Sequence, residues 1–278
     1  MAEENTPIKD FYFLHIPKTG GSHFKSRILN EVYEDFQINS IPFIRQKTGH
    51  DAWSKSISDS TYITTILRDP AKRTVSHFCH LASVFPVNAK LRDKELNKDI
   101  SEVINYQNKV RHTPSLFELR YEFEKWLEKR PSSSENFQAK NILFENVLEV
   151  VDKSAGNRYD GYVGKTDEPD NWWNSEEFKS FSIDEIELKK KLKRINLLID
   201  NESLKNKENN QLVFKKIFNE FGIERSNPNK MRIYGTSRTN SLSKELYSSL
   251  SKKEIDKIYY INKIDSEIYF SDYFTDLG

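Results

Sequence analysis

Phe11-Tyr-Phe-Leu-His-Ile-Pro-Lys-Thr-Gly-Gly-Ser-His-Phe24 decides how the rest of this chain reads. From Phe11 to Ile16 every residue except His15 is aromatic or aliphatic, which is the pattern of a short buried strand. Pro17 has no N–H to give to a ladder and ends that strand. Thr19, Gly20, Gly21 and Ser22 are small enough for the backbone to fold tightly around something. Ser22 suits the N-cap of a helix from His23 to Tyr33, in which Phe24, Ile28, Leu29 and Val32 recur at helical spacing. A strand, a glycine-rich turn and a helix N-terminus make an anion cradle, because N–H groups converge at the positive end of the helix dipole. Lys18 adds a full positive charge at the same mouth.

The form of the cradle narrows the anion. A nucleoside-triphosphatase loop reads Gly-x-x-x-x-Gly-Lys-Ser/Thr, with the lysine after the glycines. Here Lys18 precedes them and the loop is shorter. His15-Ile-Pro-Lys-Thr-Gly-Gly-Ser22 instead closely resembles the 5′-phosphosulfate loop of sulfotransferases that use 3′-phosphoadenosine 5′-phosphosulfate (PAPS). The likeness is greatest to the carbohydrate-directed branch, which includes heparan sulfate 2-O- and chondroitin-type enzymes. It implies an α/β fold: a P-loop-type parallel β-sheet core flanked by helices, with helical insertions. By the same resemblance Lys18, Thr19, Gly20, Gly21, Ser22 and His23 line the phosphosulfate site. Lys18 would also stabilise charge on the departing phosphate, an electrostatic role in a dry site.

Ile66-Leu-Arg-Asp-Pro-Ala-Lys-Arg-Thr-Val-Ser-His-Phe78 is the second strong feature. Tyr62 to Leu67 is rich in β-branched residues and predicts a buried parallel strand. Arg68 then falls at the carboxyl end of that strand, where open α/β sheets place ligands. Pro70 suits the first position of the next helix, and Ser76 lies within it. An arginine fork and a hydroxyl together can hold a phosphate. The segment matches the family pattern Arg-Asp-Pro-x-x-Arg-x-x-Ser-x-Phe/Tyr, which implies that Arg68 and Ser76 bind the 3′-phosphate of PAPS. Arg73 is the member with the least defined role.

Sulfuryl transfer also needs a base for the acceptor hydroxyl, with a pKa near working pH. His50, in Thr48-Gly-His50, comes after a second short strand expected over Ile41–Arg45, the place where the resembling family puts its catalytic histidine. His50 is therefore the expected base, with Asp51 in reserve, while His15 reads as a structural residue. The chemistry calls for no metal, and no His/Cys/Asp group has metal-ligand spacing. Shorter likenesses extend along the chain. Asn136-Phe-Gln138 is similar to an Asn-x-Gln element, Gly164-Lys-Thr-Asp167 to a Gly-x-Thr-Glu segment, and Asn262 to Tyr269 to a closing Asn-x-x-Asp-x-x-Leu-Tyr helix.

Composition sets the outer bounds. With 278 residues the chain is long enough for one large domain, which the resemblance implies is a single sulfotransferase domain, with a lid or insertion over 86–134 and a helical insertion over 172–226. Its 43 basic and 42 acidic residues nearly cancel, which argues against bulk nucleic-acid binding. Only Cys79 carries a thiol, so no intrachain disulfide can form and a reducing compartment is expected. No apolar run of about 18 residues is present, and Met1-Ala-Glu-Glu-Asn5 does not read as a signal peptide. These features predict a cytoplasmic enzyme without a membrane span.

Helices are further expected over Ser115–Arg130, Ile183–Ile199 and Asn209–Phe221, with a last one from Leu242 to Tyr259. The charges from Glu187 to Arg194 read as a solvated helix face. The acceptor implied is a hydroxyl-bearing small molecule or glycan, with Trp172 and Trp173 available to stack on sugar rings. The basic loop over 230–238 is placed to close over the 3′-phosphate or adenine. Two other readings stay open: a P-loop-type phosphotransferase or kinase, and a non-catalytic nucleotide-binding protein.

Overall fold

The computed structural model describes residues 10–24, 39, 41, 43–46, 53–54, 57–79, 116–130, 134–146, 150–152, 176–224 and 238–275. The chain divides into two compact units. The first comprises Met1–Asp69, Asn136–Ile233 and Lys263–Gly278, and the second Pro70–Glu135 and Tyr234–Asn262.

The first unit is an α/β layer built on β1 (Asp10–Leu14), β2 (Phe43–Gln46), β4 (Thr61–Leu67), β6 (Val150–Asp152) and β7 (Leu197–Asp200). The strand order is β6-β2-β1-β4-β7. β1 runs parallel to β2 and β4, and β4 runs parallel to β7, whereas β6 is antiparallel to β2. A separate short ladder joins β3 (Trp53–Ser54) to β5 (Glu145–Asn146).

Alternation along the central strands builds two cores. Phe11, Phe13, Tyr62, Ile66, Leu197 and Ile199 form one with Val213, Phe214, Ile217 and Phe218 of α7 (Lys207–Glu220). Tyr12, Leu14, Ile63, Leu67 and Leu198 form the other. It is completed by α4 (Phe137–Leu143), Phe178 of α5 (Glu176–Ser180), α6 (Glu185–Arg194) and Ile268 of α10 (Lys263–Tyr269). Burial on both faces is why β1 is apolar from Phe11 to Leu14 and why β4 is buried throughout, Thr61, Thr64 and Thr65 included.

The second unit contains α2 (over 70–79), α3 (Leu116–Glu128), α8 (Arg238–Ser249) and α9 (Lys252–Ile261). Its core joins Val75, Phe78 and Cys79 to Leu119, Phe123 and Leu127, and to Leu246, Leu250, Ile258 and Ile261. Arg120 of α3 bonds the Ser249 carbonyl at 2.7 Å and the Glu254 carboxylate at 2.7 and 2.9 Å. Among the described residues, no helix is long and apolar enough to cross a membrane.

Three expectations need correction. The helix expected over Ile183–Ile199 stops at Arg194, and Leu197–Asp200 is a strand. The turn is fixed by Asn196, whose side chain accepts from Ile63 N–H at 2.8 Å while its own N–H gives to Ile63 O at 3.0 Å. Second, the single helix expected from Leu242 to Tyr259 is broken. Ser251 is extended (ψ 159) and caps α9 through a Ser251–Glu254 capping box. Third, the charged face of α6 is not wholly solvated. Lys191 is 7% exposed, with Nζ bonded to Leu143 O at 3.0 Å and Glu145 at 2.9 Å.

Candidate functional site

Because β1, β4 and β7 are mutually parallel, their carboxyl ends fall on one edge of the sheet. That edge carries the loop Pro17–Gly21 after β1, Arg68 and Asp69 after β4, and Asn201 and Glu202 after β7. Ligands of parallel sheets gather at this edge.

The loop is tightly specified. Lys18 has φ 67 and Gly20 has φ 96, with no such value at Thr19 between them. Alternation of this kind turns successive N–H groups toward one concavity. Thr19 is fully buried, and its hydroxyl donates to Ile16 O at 2.9 Å. A Cβ at Gly20 would stand 2.2 Å from Asn201 Nδ2, and one at Gly21 would stand 1.9 Å from the His15 ring. Both glycines are thus demanded by protein groups behind the loop. His15 is 3% exposed and stacks on Phe13, so it packs the loop from beneath. The described turn of α1 (Gly21–Phe24) begins with Phe24 N–H donating to Gly20 O at 3.1 Å. Ser22 and His23 belong to that turn, with their side chains outside the described residues.

Arg68 meets this loop. Its Nη1 donates to Lys18 O at 3.2 Å. Its backbone is held on both sides by Gln138, with Arg68 N–H to Oε1 and Nε2 to Arg68 O, each at 2.9 Å. Burial pushes the guanidinium below its ordinary pKa, while the negative charges of Glu202 and Asp69 act the other way. Arg68 Nε is buried without a hydrogen-bond partner. Leaving a charged group's donor unmet is costly, so the site fits an anion.

Two residues that the sequence reading passed over complete the edge. Asn201 Nδ2 donates to Thr19 O at 2.8 Å, and Asn201 N–H extends the β4–β7 ladder to Leu67 O at 2.8 Å. Beside it, Asp200 accepts from the Tyr269 hydroxyl at 2.8 Å. Burial, and then the Asp200 carboxylate, push the Tyr269 phenol up, which keeps it protonated and a donor. Nothing in the sequence flagged Asn201, because it lies just after a segment that reads as helix.

The weak likenesses around Asn136 and Asp265 meet in space. Asn136 Oδ1 accepts from Ile264 and Asp265 N–H at 2.9 and 3.3 Å. The buried Asp265 carboxylate in turn accepts from Gln138 and Ala139 N–H at 3.0 and 2.8 Å. Each element caps the start of the other's helix. One hydrogen-bonded line therefore runs from Asp265 through Gln138 and Arg68 to Lys18 O, while Tyr269 braces Asp200, whose neighbour in the chain, Asn201, holds Thr19 O. Also on α4, Asn141 is fully buried, and neither of its amide atoms has a partner.

In the second unit, Ser76 is 5% exposed and Arg73 is fully buried on α2. His50, Asp51, Gly164–Asp167, Trp172, Trp173 and the loop over 230–238 lie outside the described residues, apart from the start of α8 at Arg238. Among the described residues, no group of three or more His, Cys, Asp or Glu side chains is set to hold a metal ion. Comparison with protein-family models, curated proteins and solved structures found no match to this chain.

Proposed function

We propose that the chain is a PAPS-dependent sulfotransferase on a P-loop-type core, acting on an acceptor hydroxyl of a carbohydrate. The observation that carries this reading is the loop after β1, pinned through two successive carbonyls by Arg68 and Asn201 at the carboxyl edge of the sheet. Its order of Lys18 before Gly20-Gly21, with Arg68-Asp69-Pro70 downstream, is the order of the resembling family.

In this reading the N–H groups of the loop from Thr19 to Ser22 hold the 5′-phosphate, and Arg68 binds the 3′-phosphate. Ser76 and His23 enter through their motifs alone. His50 takes the proton from the acceptor hydroxyl as the new O–S bond forms. Lys18 stabilises the negative charge left on the 5′-phosphate oxygen as the old S–O bond breaks. The products are the sulfated acceptor and adenosine 3′,5′-bisphosphate (PAP).

The test is to incubate the full chain with PAPS bearing radiolabelled sulfur and a panel of hydroxyl-bearing glycans and small molecules. Acceptor-dependent transfer of label, lost in Lys18→Ala and His50→Ala, is the expected result. Label that stays on the nucleotide with every acceptor, while PAP binds, would leave a binding protein in place of an enzyme.

A further inference from the structure

We infer that Asn201 is a positioning residue for the 5′-phosphate, an inference that rests on the reading of the loop after β1 as a nucleotide cradle. A trans peptide is planar, with its C=O and N–H directed oppositely. Asn201 Nδ2 holds Thr19 O at 2.8 Å, so the N–H of Gly20, in the same peptide, faces away from Asn201. Arg68 holds Lys18 O at 3.2 Å and directs the N–H of Thr19 in the same manner. Two consecutive donors are thereby turned from the sheet edge toward the outer side of the loop, where a bound anion would accept from both.

Asn201 can do this because it is not free to drift. It is the first residue past β7, and its own N–H continues the ladder to Leu67 O at 2.8 Å. The preceding Asp200 is braced by the Tyr269 hydroxyl at 2.8 Å. The contact is also close: a Cβ at Gly20 would overlap Asn201 Nδ2 at 2.2 Å. The glycine and the asparagine therefore form a matched pair, one leaving the space that the other fills. An aspartate at 201 would keep the shape but set an oxygen against Thr19 O. The peptide would be driven to turn, carrying its N–H out of the cradle.

Calorimetric titration of the full chain with PAP and with adenosine 3′-monophosphate isolates the 5′-phosphate. The wild-type protein is expected to prefer the bisphosphate by at least about tenfold. Asn201→Asp and Asn201→Ala should lose most of that preference, with affinity for the 3′-monophosphate held within about twofold. A general loss of structure would weaken both ligands alike, so the ratio reads the loop itself. Variants that keep the wild-type ratio, or that weaken both ligands equally, would overturn the role of Asn201 and leave the nucleotide reading standing. Wild-type protein that binds neither ligand would overturn the nucleotide reading and this inference together.

Discussion

Gly21 sits where backbone and side-chain packing meet most closely. Its φ is not in the left-handed region, so only space forbids a side chain there, and that space is filled by the buried His15 ring at 1.9 Å from a built Cβ. Gly21→Ala should therefore destabilise the protein by roughly 1–3 kcal/mol, the usual cost of overpacking. Trimming the obstacle should relieve it. In urea unfolding, Gly21→Ala/His15→Ala should be more stable than the sum of the two single changes predicts, by roughly 0.5–3 kcal/mol. Strict additivity would mean that His15 is not what the glycine accommodates. Asn141 poses the opposite case, a fully buried amide with no partner on either atom. Asn141→Leu removes the desolvation cost at similar volume and should stabilise by roughly 1–2 kcal/mol in the same assay. A loss of stability would show that the amide is satisfied in solution.

At the scale of elements, the capping box of α9 ties stability to pH. The Ser251 hydroxyl and backbone N–H, together with Arg120, hold the Glu254 carboxyl down at about 2, against roughly 4.3 in an unfolded chain. A folded pKa below the unfolded one means that the contribution is present above the unfolded value and is lost as pH falls through the folded one. The window is therefore roughly pH 4.5 to 2. Glu254→Gln should cost only about 1 kcal/mol at pH 7, since water screens the pair. The variant and wild type should converge near pH 2. A difference that persists unchanged in acid would assign the effect to something other than the carboxylate.

Legibility in the sequence differed between these elements for physical reasons. β1 and β4 are buried on both faces, and Pro17 and Pro70 stand just past their ends, so their pattern is plain. β7 is four apolar and acidic residues directly after an amphipathic helix, and a run that short does not distinguish strand from helix. With β7 went Asn201, half of the hold on the loop. The capping box Ser251-Lys-Lys-Glu254 was legible in principle, but the apolar spacing runs on across it from Leu250 to Ile255.

For the whole molecule, each compact unit gathers stretches that are far apart in the chain. Apolar periodicity shows which face of a helix is buried but not what it is buried against. The pairing of Asn136 with Ile264 and Asp265, and of Gln138 with Arg68, was accordingly beyond a linear reading even though the motifs themselves stood out. The assembled first unit provides an edge at which one loop, one half-buried arginine and one asparagine are held by contacts that lead back to Asp265 and Tyr269 of α10. On our proposal this edge is built for a nucleotide carrying phosphates at both 3′ and 5′ positions. Calorimetric titration with PAP, with adenosine 5′-monophosphate as the control and Arg68→Ala alongside, tests it most directly. Tight binding of PAP is expected, with much weaker binding of the monophosphate and a loss of at least about tenfold in the Arg68 variant. Equal binding of the two nucleotides, or none of either, would contradict it.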